Sequence, residues 1–301
     1  MASRTSSDSP TSASSSIVVD EHRMVLPDGR TLAIAEFGDP GGTPVVLFPS
    51  NPGSRLLDPD PAATAAAHVR LLVVDRPGYG DSTPLPPATI PTLTACANDV
   101  AVALGVLGVD EVGVVGWSTG GRYALALAAV HPEVVRAVAL AGTPAPDEAL
   151  RWIPPEHQQL LMTMRADPAS GVATMAEIFG PMGSAMAADP TQVGPAPDDA
   201  RLLGDPAVRE RVLVMLGEAF RSGVLGVAAD IVAANVVAPG FDPAAIGAPV
   251  ALFYGDGDTL IPPEHGRWWA GQLLAPTEHA VAGAGHLVLI VAWAEILASV
   301  V

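Results

Sequence analysis

The stretch "VVGWSTGGRYALALAAV", residues 114–130, passes from an apolar run through Gly-Trp-Ser-Thr-Gly-Gly into a second, longer apolar run. A polar serine among glycines at such a junction has two readings. It is an incidental member of a glycine-rich turn, or it is a nucleophile held on a tight strand-to-helix bend. "EVGVVG" before it has the β-branched content of a strand, and "GRYALALAAV" after it suits a helix ending near His131-Pro132. Strand, serine, helix is the order that a Gly-x-Ser-x-Gly motif demands. The glycines let strand and helix approach closely, while the bend exposes the Ser118 hydroxyl. The amide of Thr119, at the helix N-terminus, then faces a developing oxyanion.

The pattern extends in both directions. "VVLF" (45–48), "VRLLVVD" (69–75), "VVRAVALAG" (134–142), "APVALFYG" (248–255) and "TEHAVAG" (277–283) are further strand candidates. "PTLTACANDVAVALGVLG" predicts a helix starting near Pro91, and "HLVLIVAWAEILASVV" reads as one last packed helix. Near the start, "SIVVDEHRMVL" and "TLAIAEFG" are strand-like runs joined by a "PDGR" turn. Fully apolar strands alternating with helices indicate an α/β protein whose mainly parallel sheet is covered on both faces.

Residues 144–240 break that rhythm. Short helices are expected in "PEHQQLLMTMR", "ARLLGDPAVRERVLVMLGEAFRSG" and "LGVAADIVAANVV", with no clear strand. Six of the chain's eight methionines (162, 164, 175, 182, 186 and 215) fall here. Methionine repacks readily, so the region is either ordinary helical core filling or an adaptable apolar lid. Residues 17–143 and 241–301 form the expected core, and the Ser-rich residues 1–16 read as a disordered tail.

Bulk composition narrows the function. A chain of 301 residues with 49% hydrophobic and 16% charged residues is globular and buries a sizeable core. A net charge of −17 disfavours nucleic acid and anionic membrane surfaces and suits a neutral or cationic small-molecule substrate. The single Cys96 excludes an internal disulfide and a cysteine-clustered metal site. No apolar run long enough to span a bilayer and no secretory h-region stand out, so a cytoplasmic protein without stable membrane insertion is expected. No spaced His/Cys/carboxylate cluster suggests a metal or other cofactor, and the oligomeric state is left open.

A serine hydroxyl needs a base to take its proton. Of seven histidines, His286 stands apart: "GAGH" puts it after the last strand, in a glycine-loosened loop that enters the terminal helix. An acid to orient that imidazole is offered by "ALFYGDGDTLIPP", where a strand ends in Asp256 and Asp258. Asp258 is preferred because two residues separate it from Gly255, enough to turn before "IPP"; Asp256 is the alternative. The chain order Ser, Asp, His agrees with the motif.

With "GWSTGG", "YGDGDTLIP", "GAGH" and "VVDRPGYGDS" (73–82) in hand, the sequence resembles the α/β-hydrolase superfamily over nearly its whole length beyond the tail. The resemblance implies eight mostly parallel strands with a helical cap inserted after the sixth, over residues 144–240. It also implies a second oxyanion donor, by analogy the amide of Asn51. One departure stands out: where such proteins carry His-Gly after the third strand, "PSNPGSR" (49–55) has Pro49 and Ser50. Proline removes an amide and restricts its neighbour. The expected activity is hydrolysis of an ester or related acyl bond of a small, largely apolar molecule. Ser118 is the nucleophile, His286 the base and Asp258 its orienter. Trp117, Trp152 and Met162 are candidate pocket walls. A lyase or cyclase, or a ligand receptor on the same fold, is the alternative.

Overall fold

The computed structural model describes residues 20–301. The expected tail, residues 1–16, lies outside them. The strands are β1 (Asp20–Val25), β2 (Thr31–Gly38), β3 (Thr43–Phe48), β4 (Val69–Asp75), β5 (Val112–Trp117), β6 (Val135–Ala141), β7 (Val250–Gly255) and β8 (Pro276–Val281). They form one sheet in the order β1-β2-β4-β3-β5-β6-β7-β8. The pairs β1–β2 and β2–β4 are antiparallel and the remaining pairs are parallel.

Strand residues alternate between two apolar layers. Val45, Leu47, Leu71, Val73, Val115 and Trp117 enter one core, while Val46, Phe48, Leu72, Val74 and Val114 enter the other. A period of two with both faces apolar is what a doubly covered sheet requires. The core helices before β7 are α1 (Pro61–Ala66), α2 (Leu93–Val106) and α3 (Gly120–Val130). Helix α2 starts where Thr92 caps it, its hydroxyl accepting from the Ala95 amide at 3.1 Å.

Between β6 and β7 run α4 (Pro155–Ala166), α5 (Pro168–Phe179), α6 (Gly183–Ala187), α7 (Pro197–Leu202), α8 (Pro206–Ala219) and α9 (Leu225–Asn235). Helices α5 and α6 are absent from the sequence-based reading. Pro168 opens α5, and Val172, Met175 and Phe179 recur at helical spacing along it. This helical stretch is tied to the sheet side by a buried Arg55, which donates to Asp75 at 2.7 Å, to Asp81 at 2.9 Å and to Glu218 of α8 at 2.5 Å. After β7 come α10 (Glu264–Ala270), α11 (Val288–Val291) and α12 (Trp293–Ala298). The expected single terminal helix is thus two. Ala292, at φ −102° and ψ 17°, leaves helical geometry between them, and Trp293 turns inward to donate to Thr64 at 2.9 Å. Among the described residues no helix is long and apolar enough to cross a membrane.

Candidate active site

Ser118 follows the last residue of β5 and takes φ +54°, a left-handed conformation rare for a residue with a side chain. That conformation reverses the chain within two residues, and α3 starts at Gly120. Glycine is required on both sides. A Cβ at Gly116 would collide with the backbone of Gly121, and one at Gly120 with the carbonyls of Phe48 and Pro49. The strained turn lifts the Ser118 hydroxyl off the C-terminal edge of the sheet; the residue as a whole is 8% exposed.

Two further loops at the same edge meet it. His286 Nε2 lies 2.9 Å from Ser118 Oγ, and His286 Nδ1 lies 2.7 Å from Asp258 Oδ2. Asp258 Oδ1 accepts from the amides of Leu260 and Ile261 at 2.8 and 2.9 Å, so both carboxylate oxygens are occupied. A carboxylate only accepts, so Nδ1 carries the imidazole proton and Nε2 is left to accept from the serine hydroxyl. Asp256, the alternative acid, sits in the turn two residues earlier and accepts from the Gly283 amide at 2.7 Å. Of the other histidines, His157 lines the space above Ser118 without bonding to it. His265 is buried, accepts from the Ala145 amide at 3.0 Å, and is held below its ordinary pKa by desolvation. His279 stacks on Phe253.

Ser50, Asn51 and Pro52 form a further part of the rim. Asn51 and Thr119 both line the space above Ser118, and among the described residues neither backbone amide donates to a protein acceptor. The Ser50 hydroxyl, the side chain that departs from the expected glycine, donates back to the Pro52 carbonyl at 2.7 Å. Behind this rim Arg76, from the "DRPG" stretch, is fully buried. It donates to the Pro49 and Ser50 carbonyls, each at 2.7 Å, and to the Asp230 carboxylate of α9 at 2.6–3.0 Å. Nothing in the local sequence marks Asp230 as its partner.

Above Ser118 opens a cavity of about 440 Å³. Its walls include Trp152, Leu161, Met164, Met175, Phe179 and Ile231, with Asn51, His157, Gln192 and Asn235 as polar points. Among the described residues no Asp, Glu, Lys or Arg lines it. Four methionines, Met164, Met175, Met182 and Met186, face the space, whereas Met215 is packed in the core. Core filling and pocket lining, alternatives for the region as a whole, divide residue by residue.

The family profile described as alpha/beta hydrolase fold matches residues 43–292. The chain belongs to the alpha/beta hydrolase fold family. Among curated relatives of this alpha/beta hydrolase, a proline iminopeptidase of Xylella fastidiosa (strain 9a5c) is 32% identical over 130 residues, 40% of this chain and 39% of that one. The match thus spans about two-fifths of that relative's length. Among solved structures, an epoxide hydrolase from Vigna radiata superposes with a TM-score of 0.68 at 17% identity, covering 93% of this chain and 95% of that one. A thermophilic esterase from Thermogutta terrifontis gives 0.63 at 21%, covering 93% and 96%. At such identities the likeness is one of fold.

Two sequence-based wall residues of this alpha/beta hydrolase lie elsewhere. Trp117 shares its strand face with Val115, so its ring enters the core beneath the site and its Nε1 donates to the His286 carbonyl at 2.9 Å. Met162 is 53% exposed on the outer side of α4. Leu161 and Met164, one and two positions away on the helix, take the inward places instead. Trp152 does line the cavity, held by its Nε1 donating to the Ala145 carbonyl at 3.1 Å.

Proposed function

We propose that this protein is a serine hydrolase that cleaves an ester or related acyl bond of a small, largely apolar molecule. The observation that carries the reading is the hydrogen-bonded chain Ser118–His286–Asp258 at the floor of a cavity that, among the described residues, no Asp, Glu, Lys or Arg lines. Ser118 Oγ bonds to the acyl carbon as its proton passes to His286 Nε2, and the carbonyl electrons move onto oxygen. The Asn51 and Thr119 amides stabilise that oxyanion. Collapse breaks the acyl–oxygen bond, and His286 hands the proton to the departing alkoxide. Water, deprotonated by His286, then cleaves the acyl-serine. Residues 144–240 act as a cap that keeps the acyl group dry.

The other activities named among the relatives fit less well. A peptidase that takes a free N-terminal amine binds a cation, and among the described residues no carboxylate lines this cavity. Attack of a serine on an epoxide carbon would leave an ether, which activated water does not cleave, so turnover would stop. Attack on an acyl carbon leaves an ester, which it does.

A fluorophosphonate probe and a series of p-nitrophenyl esters test the proposal. Expected are stoichiometric labelling at Ser118 and hydrolysis that improves with acyl length until the cavity is filled. Folded protein that neither labels nor turns over any ester would refute it. Two variants probe the walls. Met164→Ala is expected to favour longer over shorter acyl chains by roughly 3–10-fold in kcat/KM, while Met162→Ala leaves the profile unchanged. Asn51→Ala is expected to keep activity within a few-fold, because the group assigned to the oxyanion is a backbone amide.

A further inference from the structure

A carboxylate from the insertion reaches the loop that carries His286. Asp199 lies in the first turn of α7 and is 1% exposed. Its Oδ2 accepts from the Ala196 amide at 3.0 Å, which closes the start of that helix. Capping accounts for that bond and no more. The same Oδ2 accepts from the His286 amide at 3.0 Å, and Oδ1 accepts from the Leu287 amide at 2.8 Å. On the opposite side Trp117 donates to the His286 carbonyl at 2.9 Å. Both main-chain polar groups of His286 are therefore held by side chains, one from the core and one from the insertion.

Helix α7 approaches the loops bearing Asp258 and His286 closely. A Cβ at Gly285 would collide with the Asp199 carboxylate, and one at Gly257 with the carboxylate of Asp198. A Cβ at Gly194 would stand 2.9 Å from the Leu287 side chain and 3.0 Å from that of Asp199. The loops bearing Asp258 and His286 thus each carry a glycine where this one short helix presses on them.

We propose that Asp199 is a positioning residue for His286, through which the insertion fixes the imidazole between Asp258 and Ser118. The proposal rests on the reading of His286 as the base. A ring that must meet a carboxylate at 2.7 Å and a hydroxyl at 2.9 Å tolerates little movement of the backbone from which it hangs. A carboxylate suits the task because it has acceptors for several amides and no donor to oppose them. An asparagine there would turn an NH₂ group against a backbone N–H.

Asp199→Asn is expected to lower kcat for a short p-nitrophenyl ester by roughly 10–100-fold with KM within about threefold, because misplacing a reacting group slows chemistry more than binding. The rate of fluorophosphonate labelling at Ser118 falls by a similar factor. In a His286→Ala background the same substitution is expected to change the residual rate less than about twofold, since a residue that acts through another has nothing left to act on. A merely structural role would give equal losses in both backgrounds. Glu210→Gln, which removes one negative charge from the exposed side of α8, is the control with unchanged kcat. Gly285→Ala disturbs the same contact while leaving Asp199 in place, and it decides the matter if Asp199→Asn does not fold; its kcat is expected to fall likewise. Wild-type kcat in folded Asp199→Asn or Gly285→Ala protein, with His286→Ala inactive, overturns the proposal and leaves the reading of the site intact. Wild-type kcat in His286→Ala overturns that reading, and the proposal with it.

Discussion

Ser118→Ala is expected to lower kcat for any turned-over ester by about 10⁴–10⁶-fold without unfolding the protein, and His286→Ala by a similar factor. The size follows from the geometry: hydroxyl, imidazole and carboxylate form one chain at 2.9 and 2.7 Å, so removing either of the first two removes proton transfer altogether. The double variant is expected to be no worse than either single one, because the two groups perform one step. Asp258→Asn is expected to cost about 10⁴-fold, since an amide facing Nδ1 no longer fixes the tautomer that leaves Nε2 free to accept. Asp256→Asn is expected to change little, its carboxylate being bonded to the Gly283 amide in a turn. Circular dichroism on each variant separates loss of chemistry from loss of fold. Turnover within tenfold of wild type in folded Ser118→Ala protein would remove the nucleophile from the scheme.

What was legible in the sequence was local. The elbow announces itself within seven residues, because strand, strained turn and helix start must follow one another in the chain. "GDGD" and "GAGH" are legible for the same reason: each is a strand end followed by a turn. Trp117, expected at the pocket wall, shares its strand face with Val115 and so enters the core rather than the cavity. Met162 lies on the outer face of α4, while Leu161 and Met164 take the inward places, a distinction that helical periodicity alone leaves open in this short segment. The division of the final helix at Ala292 carries no glycine or proline to mark it. Asp199 and Asp230 were beyond reach for a different reason. Their partners lie 87 and 154 residues away, and nothing near an aspartate on a short helix says which loop it will grip.

Arg76→Met is expected to destabilise the protein by about 3–5 kcal/mol and to cut turnover as well. The guanidinium is fully buried between the rings of Tyr79 and Tyr123, each centred 5.1 Å away. Burial by itself lowers its pKa, but the attraction and hydrogen bonding of Asp230 together with Tyr79 and Tyr123 more than offset this and push it up. Removing it leaves the Asp230 carboxylate with only the hydroxyls of Tyr79 and Tyr123, at 2.9 and 2.7 Å, and no opposite charge. An uncompensated buried charge is the main cost, and the midpoint of thermal unfolding is expected to fall by on the order of ten degrees. The Pro49 and Ser50 carbonyls also lose their donor, which frees the rim that presents the Asn51 amide. The two effects are separable. Adding Asp230→Leu removes the stranded charge, so the double variant is expected to recover part of the lost stability, as replacing a whole buried pair often does. It restores no donor to the two carbonyls, so turnover is expected to stay low. Thermal unfolding and ester kinetics on the same three proteins decide between the roles. If activity returns together with stability, Arg76 serves the fold alone and the rim holds its own shape. If activity stays low in a protein that melts near the wild-type temperature, the buried arginine is what aligns the oxyanion loop with Ser118.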